Sequence, residues 1–438
     1  MTSDESEEVT EGHGGDLAVA AAQAHGVTAM FTLSGAHVFP LYDGAVKADP
    51  PMPLVDVRHE QTAVFAAEAT AKLTRRPGLA VLTAGPGVTN GVSAVTSAWF
   101  NGAPIVVLGG RAPGFRWGTG ALQELDHPPI LAPVTKRAAT VQAVADIARE
   151  VDAAFTLAAS PHRGPVFLDV PMDQLFSRTQ VVVPTVRPRL PLVPDPTELE
   201  EVASLLGAAQ RPVLVLGSDV WADGAEGAAL RLAETAGLPV ITNGMGRGVL
   251  PFGHRLLVTR ARSAAFGGAD LVVVVGTPLD FRLGYGVFGG KDGATPARVV
   301  HLVDSPGQVA THLALAASAA GDLSLVLDGV REAWEQQLRR TDVANWVAGL
   351  RDIAQAAAAG DRELLESASD PIHPARIYGE LLSSRPAVSA RRNGRAAGST
   401  PARTAASAPA PAMRSQRGWP APRPRSCCST VTALRGSR

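Results

Sequence analysis

Short apolar runs alternate with Ala-rich amphipathic stretches from about residue 15 to residue 340. This is the rhythm of βαβ units, in which a parallel sheet lies buried beneath its crossover helices. In the first block the expected strands are Met30–Leu33, Leu54–Val57, Leu79–Thr83, Ile105–Leu108 and Val166–Asp169. Apolar and β-branched on both faces, they read as fully buried parallel strands. Helices are expected over Ala63–Leu73 and from near Val88. Pro-rich Val183–Pro196 breaks any regular element and reads as an extended linker. The second block opens with a helix near Glu198–Ala209 and the strand Val213–Leu216, then continues with strands Val240–Thr242, Leu271–Val275 and Val299–Val303. A helical stretch over Asp352–Leu365 and a short helix over Ala375–Leu382 follow. The fold class predicted is α/β, with two parallel-sheet domains. The expected organisation is a disordered segment 1–12, a first domain 13–178, a linker 179–195, a Rossmann-like domain 196–340, a helical connector 341–384 and a disordered tail 385–438.

Composition narrows the function classes. The 438 residues are 46% apolar and 18% charged, which suits a large protein with more than one core. A formal net charge of −1 offers no electrostatic footprint for nucleic acid or an anionic membrane, so neither is expected as a partner. No apolar run reaches the roughly 20 residues of a membrane span. Met1 to Thr10 is acidic and polar, unlike a secretory or transit peptide, and a cytoplasmic location is expected. The two cysteines, Cys427 and Cys428, sit near the C-terminus, which excludes a disulfide framework or a cysteine metal site in the body.

After Ser384 the composition changes abruptly. Residues 385–438 hold eleven Arg, no Lys and no acid, among Ala, Pro and Ser, and cannot bury a core. Two readings stand: a natural basic tail, or a segment read out of frame. High-GC codons chosen for Arg395–Arg438 and read two bases later spell an apolar strand followed by Gly-Asp-Gly across Thr430–Ala433. The gene's nucleotides over codons 384–395 distinguish the two.

The densest chemical signal is Asp56-Val57-Arg58-His59-Glu60-Gln61, then an Ala-rich helix and the run Leu79 to Asn90, which contains Gly85-Pro86-Gly87. A carboxylate at the carboxyl edge of a parallel sheet stands where ligands usually bind. A glycine turn at the next strand end permits unusual backbone angles and close approach of a ring or phosphate. A helix cap, or an ion pair of Glu60 with Arg58, is the plain structural alternative.

Together these pieces resemble the pyrimidine-binding domain of thiamine diphosphate-dependent enzymes of the acetolactate synthase type. Phe31 to Pro40 (FTLSGAHVFP), Trp99 to Gly110 and Gly164 to Pro171 resemble the same domain, and the resemblance runs from about residue 15 to 384. It implies that Glu60 hydrogen-bonds N1′ of the cofactor's aminopyrimidine and so activates the thiazolium C2. It also implies cofactor contacts at Gly35, Ala36, Gly85, Pro86, Gly87 and Asn90. Gly118 to Asp126 resembles the loop that brings a glutamine, here Gln123, to the reacting centre. Synthases of the family usually carry Phe before that Gln, where this chain has Leu122. Lys136 stands where synthases have a lysine, either to steer a carboxylate substrate or as a surface lysine. His37 and His59 flank the pocket, as proton relays or as structural histidines.

The second block resembles the family's Rossmann-like middle domain, which binds FAD in the synthases and ADP in oxalyl-CoA decarboxylases. Candidate contacts are Gly244, Gly246, Arg247, Arg262 and Asp280; the alternative is that the glycines serve packing. The stretch around Asp280 departs towards the acyl-CoA lyase and decarboxylase pattern. The resemblance implies condensation of two 2-oxo acids such as pyruvate, or cleavage of a 2-hydroxyacyl-CoA as the alternative, in a homodimer or tetramer. It implies no metal ligand in this chain, since the family's Mg²⁺ is held by a further domain. A third reading is a catalytically inactive fragment that lacks that domain.

Overall fold

In a computed structural model, residues 9–290, 295–338 and 340–383 are described. The tail 385–438, with its out-of-frame reading, lies outside them. Thirteen strands are formed in this part of the chain: β1 (Val9–His13), β2 (Met30–Thr32), β3 (Leu54–Asp56), β4 (Gly78–Leu82), β5 (Ile105–Arg111), β6 (Arg137–Thr140), β7 (Val166–Pro171), β8 (Arg178–Val182), β9 (Pro212–Leu216), β10 (Val240–Thr242), β11 (Leu271–Val275), β12 (Arg298–Val303) and β13 (Ala317–Ala320).

Six of them make a parallel sheet in the order β3-β2-β4-β5-β7-β6, and five make a second parallel sheet in the order β10-β9-β11-β12-β13. Each buries both faces. On β4, Leu79 and Val81 enter one apolar cluster while Ala80 and Leu82 enter the other. On β11, Leu271, Val273 and Val275 face one core and Val272 and Val274 its opposite. This strict alternation on continuous apolar strands is what a helix-covered parallel sheet requires.

Several expectations are corrected. Residues 9–12 belong to β1, which pairs antiparallel with β8 through Thr10 and Val181, so the structureless start and the linker's first residues are a two-stranded ribbon. Strand β3 is exposed along its length because it is the sheet's edge. Strands β6 and β13 were not foreseen: Arg-Ala-Ala-Thr and Ala-Ser-Ala-Ala have little strand propensity, and pairing with β7 and β12 decides them. The helix after Gly85 begins at Pro86, ahead of Val88, because proline suits the first helical position.

Topology places the sites. In the first sheet β3 lies on one side of β2 and β4 on the other, so a crevice opens at the carboxyl ends of β2 and β4. The second sheet repeats this with β10, β9 and β11. The described residues divide into two compact units, one through Glu363 and one from Leu364. Both sheets lie in the first. In the second, Arg376 ties the Pro374–Ser383 helix to the Glu366 carbonyl (3.2 Å) and pairs with Glu380 one turn along the same helix (2.8 Å).

Candidate active site

Glu60 opens the Glu60–Thr74 helix, four residues beyond the end of β3 rather than at its last position. His59 caps that helix, its Nδ1 accepting from the Gln61 amide at 3.2 Å. Arg58 pairs with Asp56 at 2.6 Å, so the ion pair considered for Glu60 is not formed. The Glu60 side chain turns inward instead and is 8% exposed. Its Oε2 accepts a 2.9 Å hydrogen bond from Asn90 Nδ2, and Oε1 has no hydrogen-bond partner among the described residues.

Glycines border that free oxygen. A side chain at Gly87 would place Cβ 3.8 Å from Glu60 Oε1 and 2.6 Å from Thr83 Cγ2. Gly85 has φ 60° and ψ −119°, a conformation essentially restricted to glycine. Gly35 is extended, and a Cβ there would meet Thr83 Cβ at 2.2 Å, so its lack of a side chain lets the end of β2 close on that of β4. Ala36 follows on an exposed turn.

The Gly118–Asp126 loop is folded over the glycine turn. Glu124 holds it by accepting from the Gly118 and Ala121 amides at 3.0 and 3.1 Å. Gln123 sits at φ 55°, with its Cβ 3.0 Å from where a Gly85 side chain would begin. His37 is 3% exposed and bridges the two segments, with Nε2 3.2 Å from the Leu122 carbonyl and Nδ1 3.3 Å from Thr83 Oγ1. Burial, opposed by the Leu122 carbonyl, lowers its pKa below that of a free imidazole. It is therefore neutral near pH 7, with both ring nitrogens engaged within the protein.

Sequence reasoning missed His127, Asp169 and Arg111. His127 is fully buried, accepts from the Gly85 amide at Nε2 (2.9 Å) and faces Asp169 Oδ2 through Nδ1 (2.8 Å). Arg111 donates to the same Asp169 oxygen at 2.9 Å. His127 stands 42 positions from each of Gly85 and Asp169. No local spacing rule could have joined them.

The structure thus brings Gly35, His37, Glu60, Gly85, Gly87, Asn90 and Gln123 together around one strand end. Lys136 is engaged elsewhere. Its ammonium donates to Ser160 O (2.9 Å), Ser160 Oγ (2.7 Å) and His162 O (2.8 Å), and burial lowers its pKa to about 8. These bonds brace the loop that carries His162 and Arg163 against the second sheet. There His162 meets Asp304 at 3.1 Å and Arg163 meets Asp223 at 2.5 Å.

The nucleotide candidates also part company. A Cβ at Gly246 would strike the Leu216 carbonyl at 2.3 Å, and one at Gly244 the Ser218 hydroxyl at 2.3 Å, so both glycines allow β9 and β10 to close. Asp280 is spent on Arg282, with contacts of 2.6 and 3.0 Å. Arg262 reaches the Arg282 carbonyl, and burial, with Arg247 nearby, lowers its pKa. Neither Arg247 nor Arg262 forms an ion pair among the described residues.

Comparison with known proteins agrees with this geometry. The thiamine pyrophosphate enzyme N-terminal TPP-binding domain matches residues 12–130, and the central domain of the same enzymes matches residues 199–330. An acetolactate synthase large subunit of Mycobacterium tuberculosis and a probable acetolactate synthase of Mycobacterium bovis are each 44% identical over 381 residues, which is 85% of this chain and 66% of theirs. Human 2-hydroxyacyl-CoA lyase 2 is 38% identical over 311 residues, 63% of this chain and 49% of its own. The chain therefore spans about two thirds of the synthases' length and about half of the lyase's. With both domain matches, and a buried carboxylate set between glycine turns at the predicted strand ends, the chain belongs to the thiamine pyrophosphate enzyme family.

Proposed function

We propose that the Glu60 pocket binds the aminopyrimidine of thiamine diphosphate in an enzyme of the acetolactate synthase type, one that decarboxylates a 2-oxo acid such as pyruvate and joins it to a second. The observation that carries this reading is Glu60 itself: a buried carboxylate with one oxygen held by Asn90 and the other unbonded beside Gly87. A carboxylate oxygen left open by the protein's own groups fits a ring nitrogen that shares a proton with it. The cofactor, when bound, supplies the carbon nucleophile that adds to the substrate carbonyl.

The chain's residues orient and exclude. Asn90 fixes the plane of the Glu60 carboxylate, Gly85 and Gly87 admit a flat ring, and the Gln123 loop covers the site. The Gln123 amide is the group that suits a hydrogen bond to a substrate carbonyl or hydroxyl, while His37 ties its loop to Thr83. The described residues hold two clusters with metal-ligand spacing, His13-Asp16-Asp43 and His162-Asp219-Asp304, and neither includes a residue of the Glu60 group. A Mg²⁺ site for the diphosphate therefore does not fit the described part of this pocket.

In the second domain, the adjacent and carboxylate-free guanidiniums of Arg247 and Arg262 suit the pyrophosphate of FAD or ADP. Phe65, Trp99 and Phe100, exposed on two packed helices, suit a homodimer or higher homo-oligomer.

A second reading, cleavage of 2-hydroxyacyl-CoA, is favoured by the 38% identity to the lyase and by Leu122, which is 73% exposed beside Gln123. The test is thiamine diphosphate-dependent turnover by the purified protein with pyruvate and, separately, with a 2-hydroxyacyl-CoA. Glu60→Gln lowers whichever turnover is found by about 10²–10⁴-fold. Equal turnover in both proteins overturns the assignment of Glu60, and the active substrate decides between the two readings.

A further inference from the structure

We infer that His127 is a positioning residue: as the neutral Nδ1–H tautomer, held by Asp169, it fixes the backbone of the Gly85-Pro86-Gly87 turn on which cofactor geometry depends. The inference rests on the reading of that turn as the cofactor's.

The tautomer follows from the partners. The Gly85 amide is a fixed backbone donor 2.9 Å from Nε2, so Nε2 must carry a lone pair. The ring proton is then on Nδ1 and is donated to Asp169 Oδ2 at 2.8 Å. An imidazolium would set Nε2–H against N–H, two donors face to face. The negative charge of Asp169 does not require one, because Arg111 Nη1 lies 2.9 Å from the same oxygen and supplies the positive charge. Arg111 is itself held by Asp126 at 3.0 Å and by stacking at 3.8 Å on the Trp117 ring. The imidazole sits edge-on to Phe167, with ring centres 6.2 Å apart, and is fully buried. Every face of it is fixed.

What it fixes is consequential. Gly85 is buried in a conformation available essentially only to glycine, and its amide has no partner inside the helix that begins at Pro86. Without His127 that donor would be stranded, and the turn could relieve itself by rotating. Rotation would carry Gly87 away from Glu60 Oε1, 3.8 Å from its Cβ direction, and would push on Gln123, 3.0 Å from that of Gly85. One hydrogen bond thus couples the catalytic carboxylate to the glutamine loop.

The first arm reads the wild-type protein and uses a variant only to assign signals. The full chain, labelled with ¹⁵N-histidine, is read by long-range proton–nitrogen correlation, with the His127 signals identified by their loss in His127→Gln. The expected pattern is an unprotonated Nε2 and a protonated Nδ1; an Nε2–H tautomer or an imidazolium overturns the inference. The second arm is hydrogen exchange at the Gly85 amide. His127→Phe, which fills the space but accepts nothing, speeds exchange by about 10-fold or more, whereas His127→Gln, whose amide oxygen reaches the same amide, restores most of the protection. Phe protecting as well as Gln would mean that His127 only packs. In the turnover assay, His127→Phe raises the KM for thiamine diphosphate more than it lowers kcat, and an unchanged KM overturns the positioning role. The first two readouts do not involve cofactor, so they stand or fall apart from the assignment of Glu60.

Discussion

The two sheets place the same three strand ends side by side and load them differently. After the second strand in each series, the first domain presents Glu60 with a free oxygen, and the second presents Gly244-Met245-Gly246 packed on Ser218 and Leu216. After the third, both have a glycine at φ 60°, Gly85 and Gly276. Gly85 is pinned by His127 and leaves room beside a carboxylate. Gly276 accepts through its carbonyl from the Asp219 amide at 3.0 Å and closes on Gly217. Glycine at a strand end therefore does not by itself indicate a ligand. The informative difference is an inward-turned carboxylate oxygen that none of the protein's own described groups engages.

The second crevice is closed by the first domain itself. His162 and Arg163 enter it and meet Asp219, Asp223 and Asp304. The three carboxylates there are engaged by this chain's own His162 and Arg163.

The largest expected effect separates the two crevices chemically. Glu60→Gln, a near-isosteric change, costs about 10²–10⁴-fold in turnover while the midpoint of thermal unfolding stays close to wild type. Asp219→Asn, at the corresponding edge of the second sheet, leaves turnover within about 3-fold by the same measure. A matched loss in both would erase the distinction.

Next in size come the glycines. Gly246→Ala drives a Cβ into the Leu216 carbonyl and costs about 1–3 kcal/mol of stability by chemical denaturation, with turnover per folded molecule unchanged. Gly85→Ala costs about 1–3 kcal/mol as strain at positive φ and also lowers turnover, since the new methyl meets Gln123.

A smaller effect is electrostatic. Burial raises the Asp219 pKa to about 7, from an ordinary value of 3.8. The folded chain then holds a proton that the unfolded chain has released, so this group's contribution to stability is lost as pH rises from about 4 to about 7. Burial works against a charged His162, yet its hydrogen bond to Asp304 and the charge of Asp219 outweigh this and raise its pKa from 6.5, giving the same sign as pH rises past that value. Asp219→Asn flattens the fall between pH 4 and 7 in unfolding measurements, and an unchanged slope contradicts the shift.

The continuous apolar strands were legible in the chain because their burial is two-sided: Leu271–Val275 and Val240–Thr242 have the bounds expected of them. Strands β1 and β8 were not, since Val-Thr-Glu-Gly-His and Arg-Thr-Gln-Val-Val acquire strand character only by pairing across 169 positions of chain, as Glu11 and Gln180 do. Glu60 was legible through its neighbours Gly85, Gly87 and Asn90, which form a motif. Its hydrogen bond from Asn90 and its lack of any pairing with Arg58 were decided by the direction in which the helix starts. Lys136 was ambiguous because position alone does not say which carbonyls surround an ammonium. His127 was invisible because its meaning lies in two contacts that only the folded sheet creates.

The most direct test of the central claim is exchange of the thiamine diphosphate C2 proton with deuterated solvent, followed by proton NMR with Mg²⁺ present. It reads the activation assigned to Glu60 without any substrate. The account predicts exchange faster than that of free cofactor with the wild-type protein and a return towards the free rate with Glu60→Gln. Equal exchange with the two proteins would contradict it.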